Sequence, residues 1–227
     1  MEKVYLVGDC HTARILEHWN PETCPVDFKA WGKGGTYAWG IDLNKKTEEN
    51  EISSGTEMSS LYVKDSKLQL NWADIKDDGL IQVWLGYVDV RQFLPVHKDA
   101  DAVAKILVDK FSRFYPKSKI QFIEPLPQFT EMLLKYEGIS PSYTYEERQE
   151  QNKEFCESLR KYAEQYGLER VVTQDQIRAA IGNVEFTADI TPKDRPHPVD
   201  CLPVDLNGPI YDLFISEACK VLNIAVD

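Results

Sequence analysis

Short apolar runs alternate along the chain with stretches in which apolar residues recur every three or four positions. Val4–Val7 predicts a strand, and residues 11–19 continue as a helix with Ile15, Leu16 and Trp19 on one side. Ile81–Leu85 predicts a second strand, bounded before by the turn-forming Asp77-Asp78-Gly79. Residues 99–114 carry Val103, Ile106, Leu107, Phe111 and Phe114 at the helical period, which predicts a helix buried along that stripe. Ile120–Ile123 is a third strand, stopped by Pro125 and Pro127. Residues 145–166 form a long, highly charged helix with Phe155, Leu159, Tyr162 and Tyr166 as its inner stripe, and Gly167 ends it. Leu168–Val172 returns as a strand. Pro209 opens a last helix through about Leu222, with Ile210, Phe214, Ala218 and Val221 inward.

Strands separated by helices imply βαβ units, hence an α/β fold: three layers, α/β/α, around a central parallel sheet. A chain of 227 residues fits a single domain, 1–227. Residues 42–78 interrupt the alternation. They are polar and acidic, include Ser53-Ser54-Gly55, and read as an insertion or lid-like excursion with a small hairpin around Leu61–Leu70. A Pro-rich stretch, 191–209, precedes the last helix.

Composition narrows the partners. Hydrophobic residues make up 43% of the chain, enough for a sizeable core, yet no apolar run approaches the length of a membrane span. Residues 1–8 lack the basic and apolar stretches of a secretory signal, so a cytoplasmic protein is expected. A formal net charge of −11 disfavours nucleic acid, whose phosphates need clustered Lys and Arg. It suits neutral or cationic small molecules, or glycans. Five cysteines (Cys10, Cys24, Cys156, Cys201, Cys219) at irregular spacings, with no CxxC, argue against a disulfide framework or a zinc site, and reduced thiols are expected.

Ligands of open α/β sheets sit beyond the carboxyl ends of the strands, and several residue clusters fall in such places. Gly8-Asp9-Cys10-His11-Thr12 comes after the first strand. A thiol there is displayed at the sheet edge and at a helix start, where the dipole favours an anion. The same residues also read as plain structure, with Asp9 a cap and Cys10 a small buried side chain. Trp31-Gly32-Lys33-Gly34-Gly35-Thr36-Tyr37-Ala38-Trp39-Gly40 has four glycines in nine residues, from Gly32 to Gly40. Such backbone can expose N–H groups to an oxyanion, or be a simple turn. Gly86-Tyr87-Val88-Asp89-Val90-Arg91 comes after the strand Ile81–Leu85, and Asp89 and Arg91 could pair to shape a pocket or a structural ion pair. Asp194-Arg195-Pro196-His197 sets a carboxylate three residues before an imidazole, a spacing that can fix the tautomer for proton transfer, or be a surface loop. His18 and His97 have no comparable partner and read as surface residues.

Taken in order, these clusters resemble the SGNH, or GDSL-type, hydrolase family, along most of the chain. GDC stands where the family has Gly-Asp-Ser, with His11-Thr12 next as in its GDSH variants. Gly35 is the best match to the glycine that supplies a backbone N–H, with Gly34 and Gly40 the alternatives. GYVD matches GxND at Gly86 and Asp89, with Val88 in place of Asn, and LGYVDVR is similar to a branch carrying Gly-Glu-Ile-Asp-x-Arg, Arg91 included. YTYEERQEQNKEF looks like the same branch. Asp194–His197 matches the closing DxxH block. Val204-Asp205-Leu206-Asn207-Gly208 also resembles the family's HLN-G lead-in to its last helix, and that alignment would put Asp205 where the base belongs.

The resemblance implies a flavodoxin-like SGNH hydrolase fold and hydrolysis of a carboxylic ester, such as a glycan O-acetyl group. In it Cys10 is the nucleophile, His197 the base and Asp194 its orienting carboxylate. The N–H groups of Cys10 and Gly35 hold the oxyanion, Asp9, Asp89 and Arg91 support, and no metal or organic cofactor is implied. A thiolate can attack an acyl carbon, so Cys10 does not forbid acyl transfer. Val88, however, cannot donate a side-chain hydrogen bond, and one missing donor costs roughly 3–4 kcal/mol in comparable sites. The alternative is a catalytically silent protein of this fold with a structural, glycan-binding or protein-binding role in a larger assembly such as a phage particle, where it would be virion-associated. A flavodoxin-like nucleotide binder fits less well, because the first turn lacks a phosphate-cradling loop.

Overall fold

The computed structural model describes residues 1–15, 18–32, 38–41, 43, 75–90, 94, 99–126, 144–182 and 207–225; at 10, 13, 14, 145 and 207 the description covers the backbone. Its elements run β1 (Lys3–Gly8), α1 (Cys10–Ile15), β2 (Asp27–Gly32), β3 (Leu80–Trp84), α2 (Ala100–Phe114), β4 (Lys119–Ile123), α3 (Tyr145–Gln165), β5 (Glu169–Val172), α4 (Gln174–Ile181) and α5 (Asn207–Leu222). The five strands form one sheet in the order β2-β1-β3-β4-β5. Every pairing is parallel, with Val4 opposite both Phe28 and Leu80.

Parallel strands are covered on both faces, and the side-chain alternation divides two cores. Val4, Leu6, Phe28, Leu80 and Trp84 face one way, against Ile15 of α1, Ile177 and Ile181 of α4 and Ile210, Phe214 and Ala218 of α5. Tyr5, Val7, Ile81, Val83, Ile120 and Phe122 face the other, against Val103, Leu107 and Phe111 of α2 and Phe155, Leu159 and Tyr162 of α3. The architecture is therefore α/β/α. On the first face two buried glutamines share register: Gln82 Nε2 donates to Gln121 Oε1 at 2.8 Å and to the Phe214 carbonyl at 3.0 Å. This bond fixes α5 over the middle of the sheet.

The helices begin and end where local chemistry dictates. Thr144 and Thr173 each form a reciprocal capping box, with Glu147 and Gln176, at the starts of α3 and α4. Two expected core positions lie outside. Ile106 is exposed on α2, because the buried face is set by Val103, Ala104, Leu107, Val108 and Phe111. Tyr166 lies one residue past α3, and its hydroxyl donates to Asp109 at the surface. Among the described residues two elements are additional to those the sequence predicted: the strand β2 and the helix α4.

Both ends of the expected 42–78 insertion join the body. Ile41, Leu43 and Ile75 are buried in the α2/α3 core. Asp77 accepts the amides of Lys117 and Ser118, and Asp78 pairs with Lys3 and accepts the Tyr5 hydroxyl. Residues 44–74 lie outside the described residues, and the expected hairpin falls among them.

Candidate active site

β1 is the middle strand of the trio β2-β1-β3, so the turn that leaves it emerges between the exits of its neighbours. Gly8 closes β1 because nothing larger fits. A Cβ there would lie 2.0 Å from Thr12 Oγ1 and 2.9 Å from the Trp84 carbonyl oxygen. The chain then turns through Asp9 and enters α1 at Cys10. Asp9 is buried, and one of its carboxylate oxygens accepts both the His11 amide and His11 Nδ1, each at 2.9 Å. Asp9 thus caps the first turn of α1.

That pairing also assigns the histidine. A carboxylate only accepts, so Nδ1 carries a proton. The ring is buried, edge-on to Tyr87 at 4.8 Å and 5.8 Å from Trp84. Nε2 has no hydrogen-bond partner among the described residues. The sequence marked His11 only as the residue next after Cys10. An Asp two places before a His at a helix start was the available signal.

Beyond β3, Gly86 holds φ at +117°, and a Cβ there would meet the Phe155 ring at 2.5 Å. Glycine is required on both counts, by backbone conformation and by space. The chain then makes a helical turn that places Asp89 fully buried. Its carboxylate accepts the amides of Ala38, at 2.6 Å, and Trp39, at 3.3 Å. Burial pushes the Asp89 carboxyl up to about 6, opposed by those amides and its own, with the charge of Asp9 adding a small upward push. Asp89 therefore ties the exit of β3 to the segment after β2.

The same segment is held from its other side. Lys110, on α2, donates to the carbonyls of Trp39 at 2.7 Å and Ile41 at 2.8 Å. No sequence signal marked this lysine, which belongs to an ordinary amphipathic helix. Val88, which the sequence resemblance set in place of an Asn, is buried and apolar.

The predicted site residues divide accordingly. Cys10 begins α1 beyond β1, Asp9 caps that helix, and Asp89 braces the segment after β2. Gly35, Arg91, Asp194 and His197 lie outside the described residues, as do His97 and Asp205. His18 is exposed, as expected; a Cβ on Gly208 at the start of α5 would lie 3.2 Å from its Nδ1. Other described thiols make poor nucleophiles: Cys24, Cys156 and Cys219 are free but buried, and burial pushes Cys156 and Cys219 up. Among the described residues no cluster of three or more His, Cys, Asp or Glu could hold a metal ion, and no helix is long and apolar enough to cross a membrane.

No family model and no curated relative matches the chain. Solved structures do. A possible lipase from Chitinophaga pinensis covers 99% of this chain and 100% of its own, at 16% identity and a TM-score of 0.55. A candidate platelet activating factor from Streptococcus pneumonia covers 98% and 84%, at 15% identity and a TM-score of 0.53. An acetyl xylan esterase from the rumen bacterium Butyrivibrio proteoclasticus covers 98% and 64%, at 13% identity and a TM-score of 0.50. The α/β/α architecture shared with them is consistent with an SGNH/GDSL-type hydrolase fold. At these identities the likeness is one of fold, and function has to be argued from the site. In this fold the segment after β2, the Cys10 turn and the Gly86–Asp89 turn follow three neighbouring strands, in the order β2, β1, β3.

Proposed function

We propose that the protein hydrolyses carboxylic esters through an acyl-thioester on Cys10. One observation carries the reading: stretches far apart in sequence, around Cys10, Ala38 and Asp89, converge at the exits of three adjacent strands, joined by the bonds of Asp89 to Ala38 and Trp39. In the mechanism His197, oriented by Asp194, takes the Cys10 proton. The thiolate adds to the ester carbonyl carbon, and the N–H groups of Cys10 and Gly35 hold the resulting oxyanion. Collapse breaks the carbon–oxygen bond, and His197 returns its proton to the leaving alcohol. Water, deprotonated by His197, then cleaves the thioester to a carboxylic acid and restores the thiol.

The named neighbours support the ester class, and the acetyl xylan esterase among them supports an O-acetyl group on a glycan as substrate. Val88 removes one oxyanion donor, so turnover is slow by roughly 3–4 kcal/mol of lost transition-state stabilisation. Hydrolysis of p-nitrophenyl acetate by wild type, Cys10→Ala and His197→Ala tests the assignment. Both variants lose the wild-type turnover, and Cys10→Ser retains or raises it. Turnover that persists in Cys10→Ala contradicts the nucleophile assignment. A wild type without turnover leaves the silent, binding protein of the same fold.

A further inference from the structure

We infer that His11 is a positioning residue for Cys10: bonded to Asp9 and packed against the exit of β3, it holds the turn that presents the nucleophile. The inference rests on the hydrolase reading for the role of Cys10. Asp9 and His11 flank Cys10 in the chain, and one oxygen of Asp9 accepts both the amide and Nδ1 of His11, each at 2.9 Å. The Asp9 carbonyl accepts the Thr12 amide at 3.2 Å. The leading amides of a helix have no acceptor within it. Asp9 takes up those of His11 and Thr12, and the amide of Cys10 is the one that the mechanism aims at the oxyanion.

The ring makes the second attachment. Its centroid lies 4.8 Å from that of Tyr87, edge-on, and 5.8 Å from that of Trp84, both at the exit of β3. Trp84 in turn donates from Nε1 to the Glu124 carbonyl beyond β4 at 3.2 Å. His11 therefore ties the Cys10 turn to the exit of the neighbouring strand. Histidine is a costly choice for that place. His11 is 3% exposed, and its Nε2 is buried with no hydrogen-bond partner among the described residues. Burying an unpaired polar atom is unfavourable. Phenylalanine would pack on Tyr87 and Trp84 without that cost, and asparagine would donate to Asp9 without the ring. Histidine does both. What it adds over phenylalanine is the bond to Asp9, at the residue before Cys10.

Kinetics on p-nitrophenyl acetate with the full chain, alongside urea unfolding, test this with three variants. His11→Phe is expected to lower kcat at least tenfold with KM within twofold. His11→Asn, whose amide nitrogen stands near the Nδ1 position, restores most of kcat although it loses the ring. His11→Gln, whose amide reaches the Nε2 position instead, behaves as His11→Phe and replaces it if the phenylalanine variant does not fold. Wild-type kcat in His11→Phe and His11→Gln overturns the inference. So does a His11→Asn no better than those two, or a loss of kcat in all three that follows their stability in urea. A wild type without turnover sinks the hydrolase reading alone. The variants are then compared by the rate at which iodoacetamide alkylates Cys10, located by peptide mapping. A tenfold slowing in His11→Phe that His11→Asn reverses keeps the positioning role, and equal rates overturn it.

Discussion

At the scale of single residues, Asp89 is the most informative group. Its carboxyl moves from 3.8 to about 6 because burial outweighs the amides that favour its charge. Between those values the folded chain keeps a proton that the unfolded chain has released. The contribution of Asp89 to stability is therefore most favourable at low pH and is lost as pH rises through this window. A displacement of this size is worth about 3 kcal/mol. Asn cannot ionise, so stability of Asp89→Asn relative to wild type rises by about that amount between about pH 4 and pH 7, measured by urea unfolding. A constant difference contradicts the assignment. The sequence marked Asp89 through its place after a strand-ending glycine. It did not reveal the partners, since Ala38 and Trp39 offer backbone amides, which leave no trace in residue type.

Elements were legible where their inner face was broad. α2 and α3 bury whole stripes, and their boundaries track the apolar period closely. β2, at the sheet edge, fully buries only Phe28 and Ala30, and α4 only Ile177 and Ile181, too few for a period to stand out. The better signal for α4 was its cap, Thr173 with Gln176 three places later. That cap also sets Gln174, whose amide reaches buried Glu124 at 2.7 Å beyond β4. Thr173→Ala is expected to cost about 1 kcal/mol. The melting temperature then falls by roughly 2–4 °C in calorimetry. An unchanged value would show that α4 is held by packing alone. Ile106 and Tyr166 were misplaced for the converse reason: both flank a true stripe, and the helical period alone does not say how wide the buried face is.

At the scale of the molecule, the order of motifs along the chain carried more than any one of them. A parallel sheet with helices on both faces is what the alternation of elements dictates, and strand order then brings the Cys10 and Asp89 turns to adjacent exits. Lys110 could not have been anticipated, because its role depends on how α2 meets a segment nearly seventy residues earlier in the chain. The central claim is that Cys10 carries the acyl group during turnover. Intact-protein mass spectrometry after rapid mixing with p-nitrophenyl acetate, combined with peptide mapping, reads this directly. The account predicts one acetyl group per chain, on Cys10, that decays as product forms. Acetylation that maps elsewhere, or p-nitrophenol released while Cys10 stays unmodified and unneeded, contradicts it.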